Sequence, residues 1–148
     1  MVARGKEADY VFVYGTLRPK ARRLRREAER AMRLLEERGE YVGPARIKGK
    51  LYRVSWYPGV RESSSDSDVV VGDVFRAPDY VIAKLDAYED ASTDPRADTD
   101  YLRRRKRVRL ADGRRLLAWT YVYKRAVDPK SRIPGGDFVR EAQRKSAA

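Results

Sequence analysis

The chain has 148 residues, a length typical of one domain with a modest hydrophobic core. It contains no histidine and no cysteine, which excludes Ser-His-Asp and Cys-His catalysis, disulfide bonds and the usual zinc ligands. Any general acid or base must therefore be Asp, Glu, Lys or Tyr.

The positive charge of the chain has two interpretations. Lys and Arg number 34 against 22 Asp and Glu, a net charge of +12. A basic face binds nucleic acid or another polyanion, whereas an exterior rich in Arg and Glu is typical of surface ion-pair networks. Because no aromatic residues interrupt the basic runs as stacking platforms would, we expect a solvated surface, with nucleic-acid binding as the alternative.

Hydropathy and composition also predict a location. No apolar run reaches the 18 residues that a membrane-spanning helix needs, and the N-terminal residues lack the apolar segment of a secretory signal. We therefore expect no membrane association and a cytoplasmic protein.

The first predicted elements are a strand and a long helix. Residues 1–9 are polar and predicted to be flexible, and residues 10–14 form a β-branched and aromatic run that ends at Gly15. Residues 19–38 follow an amphipathic helical pattern that Gly39 ends. Its apolar face comprises Leu24, Ala28, Ala31, Met32 and Leu35.

The junction between these two elements is a candidate binding feature. A tight turn from strand to helix leaves the backbone N–H groups of Gly15, Thr16 and Leu17 unpaired and pointing one way. Such groups suit an anion or a carbonyl oxygen. Many junctions of this kind bind nothing, so the feature alone assigns no function.

The middle of the chain alternates short strands and turns. Residues 41–45 read as a short strand or an extended link, 49–54 as a strand, 56–59 as a turn and 61–68 as a polar loop. Residues 69–76 form a strong strand, in which Gly72 predicts a bulge or a close backbone approach.

A short second helix is predicted to begin at residues 77–79. Its apolar face comprises Val81, Ile82, Leu85 and Tyr88, with Glu89 at or just beyond its end. A carboxylate there, at the mouth of an apolar barrel, would have a raised pKa and serve as a base. The alternative, which spacing alone favours, is a surface Glu in a helix–loop transition.

The last part of the chain predicts an acidic loop over 90–100 and a long hairpin. Residues 101–110 and 114–123 are its strands, and the turn lies at 111–113. Residues 141–148 are predicted to be flexible, and no domain boundary is apparent within 1–148. One face of the first strand must meet solvent or an anion; it carries Tyr101, Arg103, Arg105, Arg107 and Arg109. The predicted fold is a single α+β domain, a small mixed, mostly antiparallel β-barrel flanked by helices.

These residues resemble a known family, the γ-glutamylcyclotransferase-like proteins, which include plant AIG2-like proteins and γ-glutamylamine cyclotransferases. The resemblance covers most of residues 10–138 in the family's order. The matching segments are residues 11–17, 49–52, 57–59, 71–75, 85–89, 101 with 103, 118–121 and 133–138.

The resemblance implies an enzyme that needs no cofactor or metal. In active members the α-amino group of a γ-glutamyl amine or peptide attacks its own γ-carbonyl, which releases 5-oxoproline and a free amine. Glu89 matches the family's base, and the backbone N–H groups of residues 15–17 would hold the oxyanion or the substrate carboxylate. Tyr101 and Tyr121 match tyrosines that face the pocket and orient substrate, whereas the ring of Tyr14 belongs either to the pocket or to the core.

Three features depart from the family pattern. Eleven residues separate Glu89 from Tyr101, more than is usual, and this acidic loop either lengthens one wall of the pocket or partly blocks it. Asp90 stands where Gly is common, and the stretch after Leu17 lacks the family's frequent Asn-containing segment. These departures leave open the amine half of the substrate. They also leave the alternative of a non-catalytic module that binds an acidic small molecule or protein. The sequence does not indicate the oligomeric state.

Overall fold

A computed structural model describes residues 8–15 and 26–147. Within them the chain forms seven strands, three α-helices and a 3₁₀ helix at Pro129–Ser131. The strands are β1 (Ala8–Val13), β2 (Glu40–Arg53), β3 (Pro58–Glu62), β4 (Val69–Pro78), β5 (Ala91–Ser92), β6 (Tyr101–Leu110) and β7 (Arg115–Tyr123). The helices are α1 (Arg26–Arg38), α2 (Asp79–Glu89) and α3 (Phe138–Ala147).

Five of the strands close into a barrel. The ring runs β1–β4–β2–β6–β7 and returns to β1. The β1–β7 pair is parallel and the other four pairs are antiparallel. Strand β3 lies between β2 and β7, and β5 lies parallel to the outer edge of β6. The prediction of a small, mixed and mostly antiparallel barrel with flanking helices is therefore confirmed.

Strand β2 is continuous where two separate pieces were predicted. Its pairing with β4 shifts by one residue between Tyr41 and Gly43, a bulge that bends the strand. The first part of β2 pairs with β4 and residues 49–53 pair with β3. A bulge lets one strand turn a barrel corner without ending, so the Gly-Pro pair at 43–44 marks a bend instead of a break.

Strand β3 corrects the predicted turn at 56–59. The turn lies earlier, because the N–H groups of Val54 and Ser55 both donate to the Tyr57 carbonyl, at 3.0 and 3.1 Å. Pro58 then begins the strand, a position where a missing N–H is tolerated. Polar residues 61 and 62 belong to this strand and not to the loop, because they pair with Lys50 and Gly49 of β2.

Gly72 of β4 is a site of close backbone approach, one of its two predicted explanations. A Cβ at this position would lie 2.3 Å from the Val13 carbonyl oxygen and 2.6 Å from the Phe12 ring. The bulge lies in β2 and not at Gly72. Glycine therefore allows β1 and β4 to pack against the filled barrel interior.

Two helices cover one outer side of the barrel. Ala31, Met32 and Leu35 of α1 are buried, as predicted, while residue 24 and the start of the predicted helix lie outside the described residues. In α2, Val81, Ile82 and Leu85 are buried. Both helices pack with Phe75, Tyr101 and Tyr121 in a second hydrophobic cluster outside the barrel.

The chain ends in a helix where flexibility was predicted. Residues 141–147 belong to α3, and Phe138 and Val139 at its start are 1% and 4% exposed. Phe138 packs into the same cluster as the barrel interior, so burial of this apolar pair fixes the helix. At the other end, Ala8 and Asp9 are paired with Pro78 and Ala77 in β1, and residues 1–7 lie outside the described residues. None of the described helices has the length and apolarity needed to cross a membrane.

Candidate active site

A cavity lies between the end of β1, the start of β3, the end of α2 and strands β6 and β7. Its empty volume, which includes space open to solvent, is about 320 Å³. The residues that line it are Phe12, Val13, Tyr14, Gly15, Tyr57, Pro58, Glu89, Tyr101 and Tyr121.

Barrel closure brings the predicted site residues together. Tyr14, Gly15, Glu89, Tyr101 and Tyr121 all border the cavity, although they span more than 100 positions of the sequence. The parallel pairing of Val11 and Phe12 with β7 places the β1 end beside Tyr121. The two remaining predicted residues, Thr16 and Leu17, lie outside the described residues.

Four lining residues were not predicted as site residues: Phe12 and Val13, predicted only as part of the first strand, and Tyr57 and Pro58. Tyr57 and Pro58 belong to a segment that the sequence pattern predicts only as a turn. The signal that would have found them is the inclusion of residues 57–59 among the segments that match the family.

Helix α2 carries Glu89 at its last position. Leu85, one turn earlier, is 1% exposed, and residues four apart share a helix face. Asp90 then adopts φ 55° and ψ 64°, and its N–H donates to the Asp86 carbonyl. This left-handed conformation usually requires Gly or Asn, so Asp90 preserves the helix end at some conformational cost.

The electrostatics of Glu89 suit acid–base chemistry. Burial raises the pKa of its carboxyl from 4.5 to about 8, and the negative charge of Asp86 adds to the rise. No hydrogen bond or ion pair reaches the carboxyl from the residues that the structure describes. A group with this pKa can accept and release a proton near neutral pH.

Tyr14 belongs to both the cavity wall and the core. Its hydroxyl donates to the Tyr121 carbonyl at 2.6 Å and accepts from the Val60 N–H at 3.1 Å. Its ring stacks on Phe12 with centroids 6.3 Å apart. The hydroxyl is therefore committed to holding β1, β3 and β7 together, and burial keeps its pKa well above the ordinary value.

The other two tyrosines position walls of the cavity. Tyr101 donates its hydroxyl to the Pro58 carbonyl, and Tyr121 donates to Asp86 Oδ1 at 2.9 Å. Burial raises the pKa of both hydroxyls, so both rings are neutral donors. Tyr101 fixes the start of β3, and Tyr121 fixes the last turn of α2.

The arginine face of β6 meets carboxylates of the protein itself. Arg103 Nε lies 2.9 Å from Asp86 Oδ1, and Arg105 Nη2 lies 2.7 Å from Asp9 Oδ2. Both guanidinium groups lie over the Trp119 ring, at 4.2 and 4.4 Å from its centroid. The expectation that this whole face meets solvent or an anion is wrong for Tyr101, which is 3% exposed, because α2 covers that end of the strand.

The acidic loop does not line the cavity, contrary to both predicted roles. Arg125 Nε lies 2.5 Å from Asp100 Oδ1, and Arg125 Nη2 lies 3.2 Å from Asp98 Oδ1. The Lys124 ammonium donates to the Ala97 carbonyl. The cations that follow β7 therefore hold the loop, and its extra length lies away from the lining residues. Among residues 8–15 and 26–147 no cluster of three Asp or Glu side chains is arranged to hold a metal ion.

This barrel has the γ-glutamyl cyclotransferase fold, with the carboxyl at the end of α2 and Gly15 after β1 bordering the same cavity. The model of the family described as "Gamma-glutamyl cyclotransferase, AIG2-like" matches residues 11–140. The chain belongs to this family.

Solved structures agree on the fold. YkqA from Bacillus subtilis is 22% identical with a TM-score of 0.69; the match covers 95% of this chain and 43% of YkqA. An AIG2-like protein from Mus musculus is 16% identical with a TM-score of 0.64, over 84% of this chain and 82% of the mouse protein. A γ-glutamyl cyclotransferase is 17% identical with a TM-score of 0.55, over 84% of this chain and 74% of that one. A search of curated proteins finds no significant match.

Proposed function

We propose that the protein cyclises a γ-glutamyl amine or peptide, releasing 5-oxoproline and a free amine. The observation that supports this most is the Glu89 carboxyl, with a pKa of about 8, in a cavity that Gly15 also borders. A glutamyl group bound there would lie between a proton acceptor and Gly15, which follows β1.

The proposed reaction requires proton transfer from the α-nitrogen of the substrate to the leaving nitrogen. The substrate's α-amino group is an ammonium near neutral pH and attacks the γ-carbonyl only after losing a proton. The new bond joins the α-nitrogen to the γ-carbon, and the bond to the amine nitrogen breaks. Two protons pass in all from the α-nitrogen to the leaving nitrogen, so one group that both accepts and donates suffices. Glu89 performs both steps in this proposal.

Backbone donors hold the negative charges of the substrate. None of the described lining residues is cationic, so no described Lys or Arg side chain meets the substrate carboxylate or the developing oxyanion there. In this proposal the N–H groups of Gly15, Thr16 and Leu17 bind them, and losing one such donor costs roughly 3 kcal/mol of transition-state stabilisation in other enzymes.

In this proposal the cavity walls orient the substrate. Tyr14, Tyr101 and Tyr121 are buried and hydrogen-bonded to the protein, so they offer fixed ring surfaces. Folding the flexible glutamyl chain against fixed walls brings its two ends together before reaction, which lowers the entropic part of the barrier. No cofactor or metal enters the proposed reaction.

The test is release of 5-oxoproline from a panel of γ-glutamyl amines and γ-glutamyl dipeptides, measured by mass spectrometry. We expect turnover of at least one member and a loss of 10²-fold or more in Glu89→Gln. Glu37→Gln is the matched control, because Glu37 is an exposed residue in the last turn of α1, and it should turn over substrate like the unmodified protein. Absence of 5-oxoproline from the whole panel contradicts the proposal. Ligand binding that survives in Glu89→Gln without any turnover would favour the non-catalytic module.

A row of arginines supports a second candidate function, binding to a nucleic-acid backbone. Arg46 of β2 pairs with Arg109 of β6, and Arg109 pairs with Arg115 of β7. All three are exposed, and none forms an ion pair with another described residue. Like charges directly opposite each other on neighbouring strands are unfavourable, so a phosphate backbone would relieve this repulsion.

Fluorescence anisotropy with a labelled single-stranded RNA tests the second candidate. We expect affinity that falls steeply between 50 and 200 mM salt, roughly in proportion to the number of phosphates contacted. The double variant Arg46→Gln, Arg115→Gln should reduce that salt dependence. Equal, weak binding of both proteins would mean that net charge alone is responsible.

A further inference from the structure

Asp86 lies one helical turn before Glu89 and connects the cavity to the outer face of the barrel. Its Oδ1 accepts from the Tyr121 hydroxyl at 2.9 Å and from Arg103 Nε at 2.9 Å, and its Oδ2 lies 3.2 Å from the same Nε. Asp86 and Arg103 are 20% and 15% exposed in their side chains. This pair is therefore sheltered from water, where charge interactions are weakly screened.

The geometry places Asp86 on the side of α2 that carries Glu89. Residues three apart are neighbours on a helix surface, and the Tyr121 ring that Asp86 holds also borders the cavity with Glu89. Arg103 reaches the same carboxylate from β6 and is itself held against Trp119. Neither side chain lines the cavity, so neither contacts a bound substrate there.

We propose that Asp86 and Arg103 are positioning residues of opposite sign for Glu89, Asp86 favouring its protonated form and Arg103 its ionised form. The inference rests on the proposed function, because a carboxyl that both accepts and donates a proton is useful only in a reaction that needs both steps. Its electrostatic content does not depend on the identity of the substrate.

The other titratable side chains that line the cavity are tyrosines, which carry little charge near neutral pH. Four tyrosines share the cavity with Glu89, and burial raises the pKa of each: Tyr14 after β1, Tyr57 before β3, Tyr101 of β6 and Tyr121 of β7. Asp90, the next residue, is exposed and accepts the Asp100 N–H with Oδ2. Among the described residues, Asp86 and Arg103 are thus the sheltered full charges next to this helix end.

Two charges of opposite sign near Glu89 would adjust its pKa for proton exchange with the substrate. An α-ammonium is a much weaker acid than an ordinary carboxyl, so raising the pKa of Glu89 to about 8 reduces the free-energy cost of moving a proton from the ammonium to this carboxylate. Burial already raises the pKa of Glu89, and Asp86 raises it further. In this proposal Arg103, the cation paired with Asp86, opposes that rise.

Two substitutions should shift the pKa of Glu89 in opposite directions. Asp86→Asn removes a negative charge and leaves Arg103 without its carboxylate, so the pKa of Glu89 should fall by about 1. Arg103→Gln leaves Asp86 uncompensated, so the pKa of Glu89 should rise. A purely structural role for the ion pair would instead give the same perturbation from either side.

The readout is a ¹³C NMR titration of the glutamate carboxyls, with the Glu89 signal assigned by its absence in Glu89→Gln. The pH profile of kcat/KM for 5-oxoproline release should move with it, about tenfold in the fraction ionised at a given pH. Asp79→Asn is the matched control, because it removes the same charge from the exposed first turn of α2 and should leave the Glu89 titration in place. Tyr121→Phe, which removes a hydrogen bond without a charge, should shift it less than Asp86→Asn does.

A Glu89 titration that moves in the same direction in both variants, or in neither, overturns the inference. If Arg103→Gln does not fold, Arg103→Lys keeps the charge and should titrate like the unmodified protein, and Asp86→Asn alone then decides. Opposite shifts without any 5-oxoproline would contradict the proposed function and leave the electrostatic assignment intact. Turnover without any shift of the Glu89 titration in the two variants would support the proposed function and contradict the electrostatic assignment.

Discussion

Glu89 should make the folded protein less stable at neutral pH. Its pKa is raised from 4.5 to about 8, so the unfolded chain loses this proton at lower pH than the folded protein does. This destabilisation is absent below about pH 4, grows as the pH rises, and levels off above about pH 8. At pH 7 it amounts to about 3 kcal/mol of destabilisation.

Glu89→Gln should therefore raise the thermal midpoint by about 10 °C at pH 7–8. Thermal unfolding followed by circular dichroism between pH 4 and pH 9 measures this directly. The gain should vanish near pH 4, because both proteins are then neutral at this position. A gain of equal size at pH 4 and pH 8 would mean that packing, and not ionisation, is responsible. The same variant should lose activity, the usual conflict between stability and function.

At the scale of single elements, Gly72 limits what β4 tolerates. Gly72→Ala would place its Cβ 2.3 Å from the Val13 carbonyl oxygen. That atom belongs to the backbone of β1, which β4 and β7 pair on both sides, so it cannot move without breaking the barrel.

We expect Gly72→Ala to cost about 2–3 kcal/mol in the free energy of unfolding, measured by urea denaturation. Gly135→Ala is its control, because a Cβ there meets nothing within 4 Å and the stability should stay within about 0.5 kcal/mol. A neutral Gly72→Ala would mean that β1 and β4 can separate locally.

Elements with strong periodicity were predictable from the sequence, and those that depend on distant partners were not. The last residues of β6 alternate between exposed arginines and the buried Val108 and Leu110, and the bounds of the strand agree with prediction. Strand β3 is short and carries Pro58, Gly59 and charged residues, so only its pairing with β2 and β7 makes it a strand. Helix α3 was missed because burial of Phe138 against the barrel, and not local propensity, fixes its start.

The same distinction applies to the cavity. The family resemblance indicated Glu89 and the tyrosines, and the structure places them on one cavity. The Asp86–Arg103 pair was not foreseen, because residues 86 and 103 meet only after β6 passes beneath α2. No sequence pattern indicated that the acidic loop would be tied to Arg125.

For the molecule as a whole, charge repulsion should make stability depend on salt. The net charge is +12, and Arg46, Arg109 and Arg115 lie side by side on three neighbouring strands. Salt screens exposed charges with a Debye length of about 10 Å at 0.1 M. We expect the thermal midpoint to rise between 0.02 and 0.5 M NaCl.

Arg109→Glu should reproduce part of this gain at low salt. The new carboxylate would face arginines on both neighbouring strands, and favourable cross-strand charge pairs contribute about 0.2–1 kcal/mol each. The midpoint should rise by about 2–4 °C at 0.02 M NaCl and the advantage should shrink as salt is added. Arg96→Glu, in the exposed part of the loop, should have a smaller effect. A midpoint that falls with added salt would indicate that attractive ion pairs dominate this surface.

Trp119 gives the protein an intrinsic optical reporter. The guanidinium groups of Arg103 and Arg105 both lie over its ring, and its Nε1 donates to Asp9 Oδ2 at 3.2 Å. Emission from this fluorophore responds to the positive charge over its ring, and one of the two cations there, Arg103, is paired with Asp86. With Trp56, the other indole of the chain, replaced by Phe, a stopped-flow trace of Trp119 would follow rearrangement behind the cavity wall in real time, without any label.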